Sequence, residues 1–220
     1  MISFNKERNA CFGVAFLLMF IIGTYFVHIP WNIDRLNISE SQLGFGIFIF
    51  GIFNFFSNQI SGRLIVPKIG TTNTIVLGII IFAFCPLLLI SVPNYSSFLI
   101  SWIPFGIAIG LLFPTMQTQI SIIEEKTSKI VTPLFQACFS AGSLFGALCA
   151  AFFIKNFPDP RITFFLIGTI FLLYISVIFV FGMKKEVEHI QSNTKFKLPS
   201  GNVFIYGFLL MMNFATLGII

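Results

Sequence analysis

Apolar residues run along this chain in long blocks separated by short polar connectors. Seven blocks can be marked, at about 10–31, 43–61, 73–92, 98–119, 132–154, 162–183 and 203–220. Each matches the roughly 17–25 apolar residues an α-helix needs to cross a bilayer core. The connectors between them are 32–42, 62–72, 93–97, 120–131, 155–161 and a longer 184–202. The pattern predicts an all-α membrane protein. Ser39 with Gln42 three residues on is a capping box opening the second span. Thr132 before Pro133 predicts an N-cap and a proline at N1 of the fifth. Pro86 and Pro104 each remove a ladder hydrogen bond and predict kinks in the third and fourth spans. Pro30 and Pro114, near the exit ends of the first and fourth spans, hint at two repeated three-helix units.

Composition sharpens the solvent rather than the fold. Hydrophobic residues make up 56% and charged residues 10% of the 220, where a soluble domain carries about 25% charged. So much apolar surface, with 31 Phe, 4 Tyr and 2 Trp, excludes a soluble enzyme, a disordered tail and a secreted disulfide scaffold. Cys11, Cys85, Cys138 and Cys149 all fall inside apolar blocks with no ligand spacing, so they read as small hydrophobes. The first block is too long for the apolar region of a cleaved signal peptide and reads as a retained span.

The net charge of +5 has no dense basic run behind it, so it points to membrane topology and not to nucleic acid. With the N-terminus cytoplasmic, Lys6, Arg8, Arg63, Lys68, Lys126, Lys129, Lys184, Lys185, Lys195 and Lys197 lie inside. Only Arg35, Lys155 and Arg161 then lie outside, and the positive-inside rule predicts this orientation. Trp31, Tyr95 and Trp102 are expected in an outer aromatic belt.

No Asp, Glu, Lys or Arg sits deep in a block, so the usual mark of ion coupling is missing. What the blocks carry is amides and one imidazole. Asn54 and Asn58 share a helix face, Gln117 lies in the fourth span, Gln136 and Ser140 are four apart in the fifth, and His28 precedes Pro30. An amide facing lipid leaves costly unpaired groups, so these faces should look inward. They either hydrogen-bond neighbouring helices or line a hydrated cavity for a neutral polar solute. Gly106 with Gly110 and Gly142 with Gly146 fit the small-xxx-small pattern of closely packed membrane helices. Two isolated histidines argue against a metal site, and no HExxH, nucleophile elbow or P-loop occurs. Neither catalysis nor a cofactor is expected.

The segments His28-Ile29-Pro30, Leu36-Asn37-Ile38-Ser39 and Gln42-Leu43-Gly44 resemble the end of helix 1 and start of helix 2 in the major facilitator superfamily. Within it they look closest to the fucose-permease-like sugar and drug carriers. Gly62-Arg63-Leu64-Ile65-Val66-Pro67-Lys68-Ile69-Gly70 is similar to the loop 2–3 signature, roughly Gly…Asp-Arg-x-Gly-Arg-Arg. Pro67 stands where that signature has its acid, and Thr71-Thr72 near its basic pair; Lys68 and Gly70 keep register. Met116-Gln117, Glu124, Phe135-Gln136-Ala137 and Ser140-Ala141-Gly142 resemble the helix 4–5 region, with Gln136 where the branch often has histidine.

The resemblance implies a carrier of twelve helices in two halves working by alternating access. This chain would supply a six-helix N-terminal bundle of two three-helix repeats (1–183), a basic cytoplasmic linker (184–202) and an incomplete seventh span (203–220), as a truncated carrier. His28, Asn54, Asn58, Gln117 and Gln136 would line the path of a small neutral solute such as a sugar. Gly62, Arg63, Lys68 and Gly70 would form the gating loop, and a bacterial inner membrane is the expected location. The expected partners are the lipid bilayer, the solute, and a second carrier half or another copy. The competing reading is a non-transporting scaffold, or one subunit of a split carrier.

Overall fold

The structure, a computed structural model, describes residues 5–156 and 159–183. The chain divides into a unit of Met1–Ile190 and a second of Gln191–Ile220. The expected linker 184–202 and seventh span 203–220 lie outside the described residues. Among those described there are helices and no strands. They are α1 Asn5–Val27, α2 Ile29–Leu36, α3 Glu40–Ile60, a π-helical turn Ser61–Ile65, α4 Val66–Ile69, α5 Thr71–Phe82 and α6 Cys85–Ser91. There follow α7 Tyr95–Thr127, α8 Thr132–Asn156, α9 Pro160–Leu173 and α10 Ile175–Phe181. They combine into six segments long and apolar enough to cross a membrane: Asn5–Val27, Glu40–Ile69, Thr71–Ser91, Tyr95–Thr127, Thr132–Asn156 and Pro160–Phe181.

In lipid, packing and interhelical hydrogen bonds rather than hydrophobic burial hold helices together, so small residues decide who touches whom. The first, third and fourth segments form the buried centre, while the second and fifth expose most of their length. Two seams dominate. Along α1–α8, Gly142 faces the Phe16 carbonyl, Gly146 the Phe20 carbonyl, and Gly23 the Ser143 carbonyl, each too closely for a Cβ. Thr24 Oγ1 donates to Phe20 O (2.8 Å) and, across the seam, lies 3.1 Å from Gly146 O. Along α3–α7, an added Cβ at Gly106 would stand 2.6 Å from Phe50 O, and one at Gly110 would stand 2.6 Å from Asn54 O. Ser57 donates to Ile107 O at 2.8 Å, and Ser61 meets Thr115 Oγ1 at 3.3 Å. The two seams are related: helix one of the first triplet grips helix two of the second, and the reverse. Gly168 of α9 abuts the Ala83 carbonyl, and Tyr174 reaches Ala10 O at 3.3 Å, which closes the bundle.

Local chemistry explains the ends. Ser39 and Gln42 form the reciprocal capping box, with bonds of 2.8 and 3.2 Å. The connector expected at 62–72 is not a loop. The helix continues to Ile69, because a π-turn with Val66 N bonded to Ser61 O makes room for Pro67, which would otherwise crowd the carbonyl four residues back. Gly70 alone breaks the chain, at φ 85 and ψ 166, where a side chain would be strained. The connector at 120–131 is likewise shortened, since α7 runs to Thr127 and ends on left-handed Ser128.

Thr132 does not serve as the cap of α8. It already lies in the helix, and Glu124 Oε1 accepts from Val131 N (2.6 Å) and Thr132 N (2.7 Å), taking that role from the preceding helix. Pro86 ends the third span's first helix as expected, whereas Pro104 and Pro114 sit inside a continuous α7. Pro30 opens a separate helix, α2, so the two prolines offered as repeat markers play different parts. Trp102 turns into the bundle, where it is only 4% exposed.

Candidate solute cavity between α1, α3 and α7

The α3–α7 seam fixes which face of α3 turns towards α1. Asn54 and Asn58, four apart, fall on that face with Ile47 and Phe50. Opposite stand Met19, Ile22, Tyr25 and Phe26 of α1, and Trp102, Phe105, Ile109 and Phe113 of α7. Together with Ile29 they line a half-open cavity of about 570 Å³, within the range usual for a small-molecule site. Among the described residues, none of the lining side chains is an acid, a base or a histidine.

Aromatic rings shape its wall. Trp102 packs edge-on to Tyr25 (6.0 Å between centroids), Phe50 (6.1 Å) and Phe105 (5.5 Å). The Trp102 indole N–H is buried against Gly46 without a hydrogen-bond partner among the described residues. The Tyr25 hydroxyl, near the Asn32 amide, also makes no hydrogen bond of ordinary geometry among the described residues. Both donors lie at the Gly46 end of the cavity, apart from Asn54 and Asn58. Groups of this kind are rare in folded proteins and invite a ligand or water.

The sequence-predicted residues are distributed unevenly. Asn54, half-buried, and Asn58, exposed, line the cavity. His28 does not: it is 3% exposed, its Nδ1 is 2.8 Å from Thr24 O, and its ring packs edge-on to Phe164 at 5.3 Å. Gln117 is half-buried on α7 and Gln136 exposed on α8, and neither reaches this lining. Gly62 and Arg63 lie in the π-turn, Lys68 in α4, and Gly70 at the break. The structure brings forward others. Gln119, 4% exposed, spans from α7 to Thr71 (2.9 Å) and Thr72 (3.2 Å) at the start of α5. Arg35 donates to Asn32 Oδ1 (2.8 Å) and to the Val92 carbonyl past the end of α6, tying the opposite end of the bundle. The sequence reading set Trp102 in the aromatic belt and singled out none of Tyr25, Phe50 and Phe105. The only available signal was that Tyr and Trp carry a polar tip.

Residues 11–220 match the family model of the Major Facilitator Superfamily. The chain belongs to that superfamily. No curated protein matches it. Membership makes it a multi-pass membrane protein of a family whose members are transporters. As a major facilitator protein it resides in a lipid bilayer and handles small solutes. The six described spanning helices fit the superfamily's all-helical fold.

Proposed function

We propose that this chain carries a small, neutral, hydrogen-bonding solute by alternating access, through the cavity between α1, α3 and α7. One observation carries the reading: two amides line a cavity of about 570 Å³ whose described lining holds no charge. A charged solute would find no countercharge there and would lose its hydration uncompensated. A sugar-like solute of the fucose-permease-like branch is one such molecule. Gln117 and Gln136 would belong to the path nearer the ends of α7 and α8, and His28 would act by fixing α1 against α9. Gly62, Arg63, Lys68 and Gly70 would gate at the π-turn, where the backbone already departs from a regular helix.

The excess of basic residues on the N-terminal side supports a cytoplasmic N-terminus, and the membrane would be a bacterial inner membrane. The bare faces of α3 and α8, with Phe48, Phe55, Leu144 and Phe152 each about 60% exposed, support the second reading of a half that pairs with another half or copy. Uptake of labelled neutral solutes into vesicles decides between them. Asn54→Leu and Asn58→Leu should each lower uptake at least tenfold while His28→Phe leaves it within about threefold. Wild-type uptake in both leucine variants would refute the cavity assignment, and no uptake of any solute would leave the pairing reading.

A further inference from the structure

The cavity is unequal along its length, and that inequality restricts what it can hold. Nine of its thirteen lining residues are wholly apolar. The amides gather at one end: Asn54 and Asn58 belong to the stretch of α3 whose backbone packs on Gly110. The other end is set by Gly46 against the Trp102 indole, with Ile47, Tyr25 and Ile29 around it. Eleven residues of α3 separate Ile47 from Asn58, or about 16 Å at 1.5 Å per residue.

Between the ends the wall is aromatic. Phe50, Trp102 and Phe105 engage one another edge-to-face, with Phe50–Phe105 centroids 5.5 Å apart at 63°. A fully hydroxylated sugar lying along these rings would strip water from hydroxyls that find no acceptor or donor there. A molecule with one polar head and one apolar body would not.

We infer that the cavity takes a neutral amphipathic solute, its apolar, ring-bearing body against Phe50, Trp102 and Phe105 and its hydrogen-bonding head at Asn54 and Asn58. This rests on the cavity being the solute site and narrows the solute class, setting free hexoses aside. Selectivity then comes from the rings, and orientation from the amides.

The full chain in lipid nanodiscs, with Trp31→Phe leaving Trp102 as its single tryptophan, supplies the test. The probes are phenyl β-D-glucopyranoside, methyl β-D-glucopyranoside and phenyltrimethylammonium, titrated against Trp102 emission. The phenyl glucoside should give a saturable change with an apparent Kd at least tenfold below that of the methyl glucoside. Phe105→Leu should shrink that gap to less than threefold, and Asn54→Leu should weaken both glucosides. Equal affinities, saturable binding of the methyl glucoside alone, tighter binding of the cation, or no saturable change with the phenyl glucoside would each overturn the inference. Proteoliposome uptake separates it from the transport reading. Uptake of methyl glucoside without phenyl glucoside keeps transport and sinks the amphipathic class. Phenyl glucoside bound but not carried upholds the class and removes carriage by this chain.

Discussion

Gly110→Ala is the sharpest test of how α3 is held against α7. The added Cβ would stand 2.6 Å from Asn54 O, 2.8 Å from Ser57 Cβ and 3.0 Å from Asn58 N. Ordinary contacts are about 3.5 Å or more, so the helices must part by roughly 0.9 Å. A gap of that size forfeits a quarter to a half of each dispersion contact along the seam, and overpacking of this kind costs about 1–3 kcal/mol. The Ser57–Ile107 bond of 2.8 Å would lengthen with it, adding about 0.6–1 kcal/mol. Against this, alanine gains about 1 kcal/mol over glycine in helix propensity. The net is a destabilisation of about 1–3 kcal/mol.

Gly51 lies on the same α3 but no described atom approaches within 4 Å of its Cβ position. Gly51→Ala should therefore keep the propensity gain and stabilise by up to ~1 kcal/mol. Reversible unfolding by SDS in mixed lipid–detergent micelles measures both. Opposite signs are expected. Equal stability of Gly110→Ala and Gly51→Ala would refute the account of the seam.

Two further outcomes follow from contacts on the same helices. Gln119→Leu deletes the bonds of 2.9 and 3.2 Å that join α7 to Thr71 and Thr72, and should destabilise by about 1–2 kcal/mol in the same unfolding assay; an unchanged midpoint would show that Gln119 ties nothing. In a background with Cys11, Cys85, Cys138 and Cys149 replaced, Asn37→Cys should react with a membrane-impermeant maleimide in intact cells. Ser128→Cys should react only after permeabilisation, and the reverse pattern would invert the proposed orientation.

The membrane-spanning character was legible because it depends on composition over twenty residues, which one sequence reports directly. Ser39 and Gln42 were legible for the opposite reason: their interaction is confined to one helical turn. Thr132 was misread because its rival, Glu124, comes from the previous helix, and a preference for a local cap says nothing of a carboxylate eight residues upstream. Pro67 looked like a loop residue, yet a π-turn accommodates a proline without ending the helix. Gln117 and Gln119 are equivalent as text. Only tertiary placement distinguishes the half-buried one from the one clasping two threonines. The aromatic wall was hidden in abundance: among 31 Phe, spacing alone gives no reason to single out Phe50 and Phe105.

The crosswise pairing of α1 with α8 and of α3 with α7 has a consequence for biosynthesis. Thr24 and the Gly146 carbonyl it reaches are 122 residues apart. At about 5–20 residues per second, α1 emerges roughly 6–25 s before the helix that covers it. During that interval its small-residue face and the Thr24 hydroxyl must be sheltered by the insertion machinery, by lipid or by a substitute helix. A chain built this way is completed late, and a ribosome stalled before α8 leaves α1 without its partner.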